Sequence, residues 1–104
     1  GTGKPLREFL HVDDLASAVL FSMKNKLTES LYNVGTGDEL SIKKLSEKIK
    51  QMTSFKGRIV FDISKPDGTP RKLLDISKME KMGWTRKIKL EEGIKKTINN
   101  YLEC

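Results

Sequence analysis

Apolar residues recur at helical spacing in four separate stretches of this chain, and the segments between them are too few and too short for a complete doubly wound sheet. The pattern therefore predicts a mixed α and β fold, an α/β piece with about four helices and short strands. With 104 residues there is room for one small domain around one core. Asp13 is placed to cap a helix from Asp14 to about Asn25, with Leu15, Ala16, Val19, Leu20 and Met23 as its buried stripe. Ser41 is placed to cap a second helix whose inward face carries Ile42, Leu45, Ile49 and Met52, with Gly57 closing the segment. Asp75 heads a short third helix that stops before Gly83, with Ile76, Met79 and Met82 facing inward. The last helix runs from Leu90 to about Leu102 through Ile94, Ile98 and Tyr101. Between them, Arg7–His11, Leu31–Val34 and Arg58–Ile63 read as short strands. Lys65–Lys72 (KPDGTPRK) reads as a polar loop, because its prolines preset φ and its glycine admits positive φ.

Charge narrows the function classes. Lys and Arg number 20 against 14 Asp and Glu, a formal net charge of +6, so an anionic partner is favoured. Much of that charge is lysine on helix faces (Lys43, Lys44, Lys48, Lys50, Lys95 and Lys96), where it serves as a solvated surface. A nucleic-acid-binding domain would interleave basic residues with exposed aromatics. Here aromatics are 7% of the chain, and Phe9, Phe21, Phe55, Phe61 and Trp84 sit in apolar contexts that read as core. No apolar run approaches the roughly 20 residues that span a bilayer, so no membrane partner is expected. The single cysteine, Cys104, allows no internal disulfide and suits a cytoplasmic protein. The chain opens on Gly1 rather than Met, so the absence of a signal peptide carries no weight.

No catalytic constellation is visible. His11 is the only histidine, and one histidine with a terminal cysteine makes no Ser-His-carboxylate or Cys-His set. Asp13 and Asp14 open a helix, where carboxylates complement the dipole without any metal. Gly1-Thr2-Gly3-Lys4 lacks the Ser or Thr that a phosphate loop needs after its lysine, since Pro5 follows. Gly35-Thr36-Gly37 lacks the third glycine of a dinucleotide fingerprint and runs into Asp38 and Glu39, so it reads as a turn. What remains are cations in loops or at strand edges: Arg7, Arg58, Arg71 and Lys72. An arginine fork donates two parallel hydrogen bonds to a phosphate, so two or three such residues converging would hold a diphosphate.

At this point the residues resemble a known family. PLREFLHVDDLA (Pro5–Ala16) is similar to the Arg-x-Phe-hydrophobic-hydrophobic-Val-x-Asp motif of extended short-chain dehydrogenases/reductases acting on nucleotide sugars. YNVGTGDELSIKKL (Tyr32–Leu45), FDISKPDGTPRKLLDISKM (Phe61–Met79) and MGW (Met82–Trp84) before the LEEGI helix narrow the resemblance to the GDP-L-fucose synthase family. The likeness runs in order over nearly the whole chain. It implies that residues 1–104 are a C-terminal GDP-sugar-binding domain, and that an N-terminal Rossmann domain lying before Gly1 binds NADPH and supplies the Ser-Tyr-Lys catalytic set. It further implies substrate-side positions at Arg7, Arg58 and Lys72, with Asp67 and Arg71 as weaker candidates in the same loop, and no catalytic residue in this chain. The full enzyme of such a family, a homodimer in the cytoplasm, would epimerise GDP-4-keto-6-deoxy-D-mannose and reduce it with NADPH, and the fragment alone would be inert. The alternatives are the substrate domain of another NAD(P)-dependent nucleotide-sugar epimerase or dehydratase, a small basic nucleic-acid-binding domain, or a purely structural or oligomerisation module.

Overall fold

Hydrogen bonding at the strand ends explains where the chain becomes regular. The computed structural model describes residues 1–104. Strand β1 (Leu6–Arg7) lies at the centre of a three-stranded sheet, with β2 (Leu40–Ser41) antiparallel on one side and β3 (Arg71–Lys72) parallel on the other. Helix α1 is Val12–Lys24 and α2 is Ile42–Thr53. Helix α3 is Ser77–Met82 and α4 is Leu90–Glu103. The mixed class and the four helices match the expectation. The molecule is a slab, 49 × 34 × 18 Å, and only eight residues are buried. A slab so thin leaves most side chains within reach of water on one face or the other.

Several expectations are corrected. His11, not Asp13, caps α1: its Nδ1 accepts from the Asp13 amide at 3.0 Å. More consequential is the helix's orientation. Leu15, Ala16, Val19, Leu20 and Met23 all face outward, Met23 being 77% exposed, while Asp14 and Ala18 are buried. The inward face is the smaller one because Ala18 must pass close to Met79 and Trp84, which form the core with it. Leu31–Val34 and Arg58–Ile63 form no strand, since no neighbouring segment of this chain offers them a ladder. Ile63 is 80% exposed accordingly. The strand around Arg7 ends before Phe9 and His11, and the polar loop's last two residues pair as β3. Helix α2 ends at Ser54, in the left-handed region at φ 56°, before Gly57 is reached. Phe9, Phe55 and Tyr101 are exposed rather than core.

Other expectations hold. Ser41 Oγ accepts from the Lys44 amide at 3.1 Å and caps α2. Gly83 at φ 104° closes α3, although at its head Ile76, not Asp75, holds the N-cap position and Asp75 Oδ1 accepts from Ser77 N one residue further back. Met79 is fully buried, and Trp84 donates its Nε1–H to Ser17 Oγ at 2.9 Å.

Candidate functional site

The sheet brings together two of the predicted cations. In the parallel ladder Arg7 stands opposite Lys72, as Leu6 stands opposite Arg71, and Leu6 N donates to Pro70 O at 2.9 Å. Residues in register on adjacent strands project from the same face, about 4.8 Å apart along the hydrogen-bonding direction. Arg7 and Lys72 are therefore lateral neighbours, while Arg71 belongs to the opposite face. The Arg7 guanidinium donates through Nη1 to Leu6 O and Thr69 O, both at 2.7 Å, which seats it under the 65–72 loop. Gly68 permits this: a Cβ there would stand 3.1 Å from Arg7 Nη2. Neither Arg7 nor Lys72 is paired with a carboxylate.

The other candidates are placed differently. Arg71 Nε is 2.9 Å from the Glu39 carboxylate, which neutralises its charge. Asp67 accepts from the Thr2 amide at 2.7 Å and the Thr2 hydroxyl at 2.6 Å, and so ties the loop to the start of the chain. The hydroxyl's hydrogen bond, more than the amide's, holds the Asp67 carboxyl below its ordinary value. Arg58 is exposed and makes no ion pair, and no contact joins it to Arg7 or Lys72. A cavity of about 280 Å³ lies between α2 and α4, lined by residues including Leu45, Ile49, Ile94 and Ile98; none of the five candidates reaches it.

Two carboxylates organise this region: Glu8, to which the sequence assigns no role, and Asp14. Glu8 Oε2 accepts from the amides of Thr36 and Gly37, each at 3.0 Å, and Oε1 accepts from Leu74 N at 3.2 Å. Asp14, which reads as a dipole partner, instead bridges to the far end of the chain: it accepts from Lys87 N at 3.0 Å and Ile88 N at 2.9 Å. The available signal for Glu8 was a charged residue directly before the apolar pair Phe9-Leu10, beside Arg7. The Thr36 and Gly37 amides of the glycine turn are filled by Glu8, and Asp38 is ion-paired with Arg86, so these residues do not fit a dinucleotide pyrophosphate.

Comparison with known proteins agrees with the motifs. The model of the NAD dependent epimerase/dehydratase family matches residues 1–35. The chain is 54% identical over 103 residues to a probable GDP-L-fucose synthase 1 of Oryza sativa subsp. japonica, covering 99% of this chain and 31% of that protein. Across its whole length the chain is a homologue of part of GDP-L-fucose synthase. The GDP-L-fucose synthase of Escherichia coli (strain K12) is 45% identical over 99% of this chain and 35% of its own length. A crystal structure of a GDP-L-fucose synthetase from Naegleria fowleri bound to NADP superposes with a TM-score of 0.92 at 36% identity, over 99% of this chain and 32% of that one. The chain thus spans about a third of the length of the relatives it matches.

Proposed function

We propose that this chain is the substrate-gripping, C-terminal part of a GDP-L-fucose synthase, and that Arg7 and Lys72 together hold the diphosphate of the GDP-sugar. The observation that carries the proposal is the parallel register of these two residues: side by side on one face, both without a carboxylate partner. Two neighbouring unpaired cations repel each other, and a diphosphate bound between them relieves that cost. Arg71, already neutralised by Glu39, braces the strand, and Asp67 ties the loop to Thr2; Arg58 stands apart from the pair and is assigned no part in it.

The full enzyme epimerises GDP-4-keto-6-deoxy-D-mannose and reduces it to GDP-L-fucose, in the cytoplasm and as a homodimer. The reduction draws its hydride from NADPH, held by an N-terminal Rossmann domain that also supplies the acid/base groups. This chain's contribution is orientation: a fixed diphosphate fixes the sugar against the reacting groups. The outward apolar stripe of α1, through Leu15, Val19 and Met23, supports the presence of a further domain, because a soluble protein leaves such a stripe bare only at a cost. The homology at 45–54% identity favours a GDP-sugar over the substrate of another nucleotide-sugar epimerase. A nucleic-acid partner has no support, with Lys48, Arg71, Lys78, Arg86 and Lys96 all engaged in ion pairs.

Calorimetric titration of the full-length protein with GDP tests the assignment. Arg7→Ala and Lys72→Ala are each expected to weaken binding roughly 5–30-fold, the loss of one charge-assisted contact. Arg71→Ala should change it less than about threefold. Unchanged affinity in both Arg7→Ala and Lys72→Ala would sink the reading.

A further inference from the structure

We infer that Glu8 is a positioning residue for the anion site, holding the segment that carries Lys72 in register with Arg7. The inference deepens the proposed diphosphate role of that pair and rests on it. Glu8 follows Arg7 directly in the chain, and its carboxylate fastens two other segments to β1. Through Oε2 it takes the Thr36 and Gly37 amides and the Thr36 hydroxyl, the last at 3.3 Å; through Oε1 it takes the Leu74 amide, two residues beyond Lys72.

The geometry argues for more than a filler. Strands β1 and β3 are two residues each, so the ladder alone fixes the relative position of Arg7 and Lys72 weakly. Glu8 extends the attachment past the ladder's end, and Asn33 Nδ2, donating to Asp75 O at 3.3 Å, secures the next residue. A carboxylate beside an anion site would oppose binding if it pointed at the ligand. The Arg7 guanidinium goes to Thr69, and the Glu8 carboxylate goes instead to the 35–37 turn, where three donors, with the Leu74 amide as a fourth, absorb its charge. The turn is shaped for it: a Cβ at Gly35 would stand 2.6 Å from Glu8 Oε1. No other side chain links β1, the glycine turn and the segment after β3.

Steady-state kinetics and amide exchange on the full-length protein separate this role from a general loss of stability. Glu8→Gln keeps the size but places an NH₂ against backbone donors. It is expected to raise KM for the GDP-sugar roughly 5–30-fold, with kcat and KM for NADPH within about twofold. The Leu74, Thr36 and Gly37 amides should exchange faster in the same variant. Glu8→Asp, which retains the charge, should recover part of the lost affinity. Gly35→Ala, which evicts the carboxylate without removing it, should reproduce the Glu8→Gln effect. A fall in active-enzyme yield with KM unchanged would overturn the positioning role, as would unaltered exchange at Leu74. If Lys72→Ala raises KM while Glu8→Gln does not, only this inference fails. If neither does, the diphosphate assignment itself fails.

Discussion

Replacing Asp14 should unfasten α1 from the segment that leads into α4. Asp14 is 3% exposed and its two oxygens accept one amide each, from Lys87 and Ile88. A hydrogen bond to a charged group is worth about 1.5–3 kcal/mol, and an amide left buried without a partner forfeits most of that. Lys87 is exposed and Ile88 only half-buried, so both freed amides can reach water and the lower end of the range applies to each bond. Asp14→Ala is therefore expected to cost about 3 kcal/mol. In Asp14→Asn one oxygen remains and an NH₂ faces the second amide, so the loss should be about half as large. Asp13→Ala is the control. That carboxylate shares the first turn of α1 and the same helix dipole but is exposed, so its removal should cost only about 0.5 kcal/mol. Urea unfolding followed by fluorescence gives all three values. The single tryptophan, Trp84, is 6% exposed and lies three residues before Lys87, so it reports on the segment in question. If Asp14→Ala and Asp13→Ala agree within about 0.5 kcal/mol, the bridge does not carry the load assigned to it.

Other expectations follow from the same contacts. The Ser77 amide, and secondarily its hydroxyl, holds the Asp75 carboxyl below its ordinary value of 3.8. A depressed carboxylate stabilises the fold above that value and ceases to do so as pH falls through the folded-state pKa. An NMR titration should therefore place the Asp75 midpoint below 3.8, and α3 amide protection should decline on the acid side in the wild type but not in Asp75→Asn. Gly83 and Gly3 both have positive φ, yet a Cβ at Gly83 meets nothing within 4 Å while one at Gly3 lands 2.3 Å from the Phe61 ring. Thermal unfolding should thus show Gly83→Ala costing about 1–2 kcal/mol and Gly3→Ala distinctly more. Leu15→Lys with Val19→Glu should lower dye binding to exposed apolar surface in the 104-residue chain, and should destabilise a longer protein if the proposed N-terminal domain covers that face.

The sequence made the helices legible and the sheet almost opaque. Periodicity located α1 to α4 within a few residues, and the caps at Ser41 and Gly83 were read from chemistry alone. Periodicity says which face of a helix is apolar, however, and not whether this chain covers it. Leu15, Val19 and Met23 make the larger stripe of α1, but the residues that meet Met79 and Trp84 lie on the side of Ala18. β-propensity failed for a related reason. Leu31–Val34 and Arg58–Ile63 have strand composition without a partner strand, whereas Arg71–Lys72 has none of that composition and pairs through its backbone beside Leu6. The cations of the candidate site were identifiable by type. Their sorting into a free pair, Arg7 with Lys72, and a neutralised Arg71 depended on that unanticipated register. Glu8 and Asp14 were unreadable as anchors because both spend their charge on backbone amides far away in the chain.

The parallel pairing of β1 with β3 has a consequence for how the protein comes to exist. Arg7 reaches Thr69 across a sequence separation of 62 positions, so the chain between them must be ordered before this contact repays its closure entropy. Contacts of such long range carry a large closure cost, which local helices lower as they order. In the unfolded chain Arg7 and Lys72 are merely two distant charges. An anion that bridges them binds only the finished molecule and by mass action draws the population toward it. If the pair holds a diphosphate as proposed, GDP should act on this protein as a folding ligand, raising the unfolding temperature as its concentration rises.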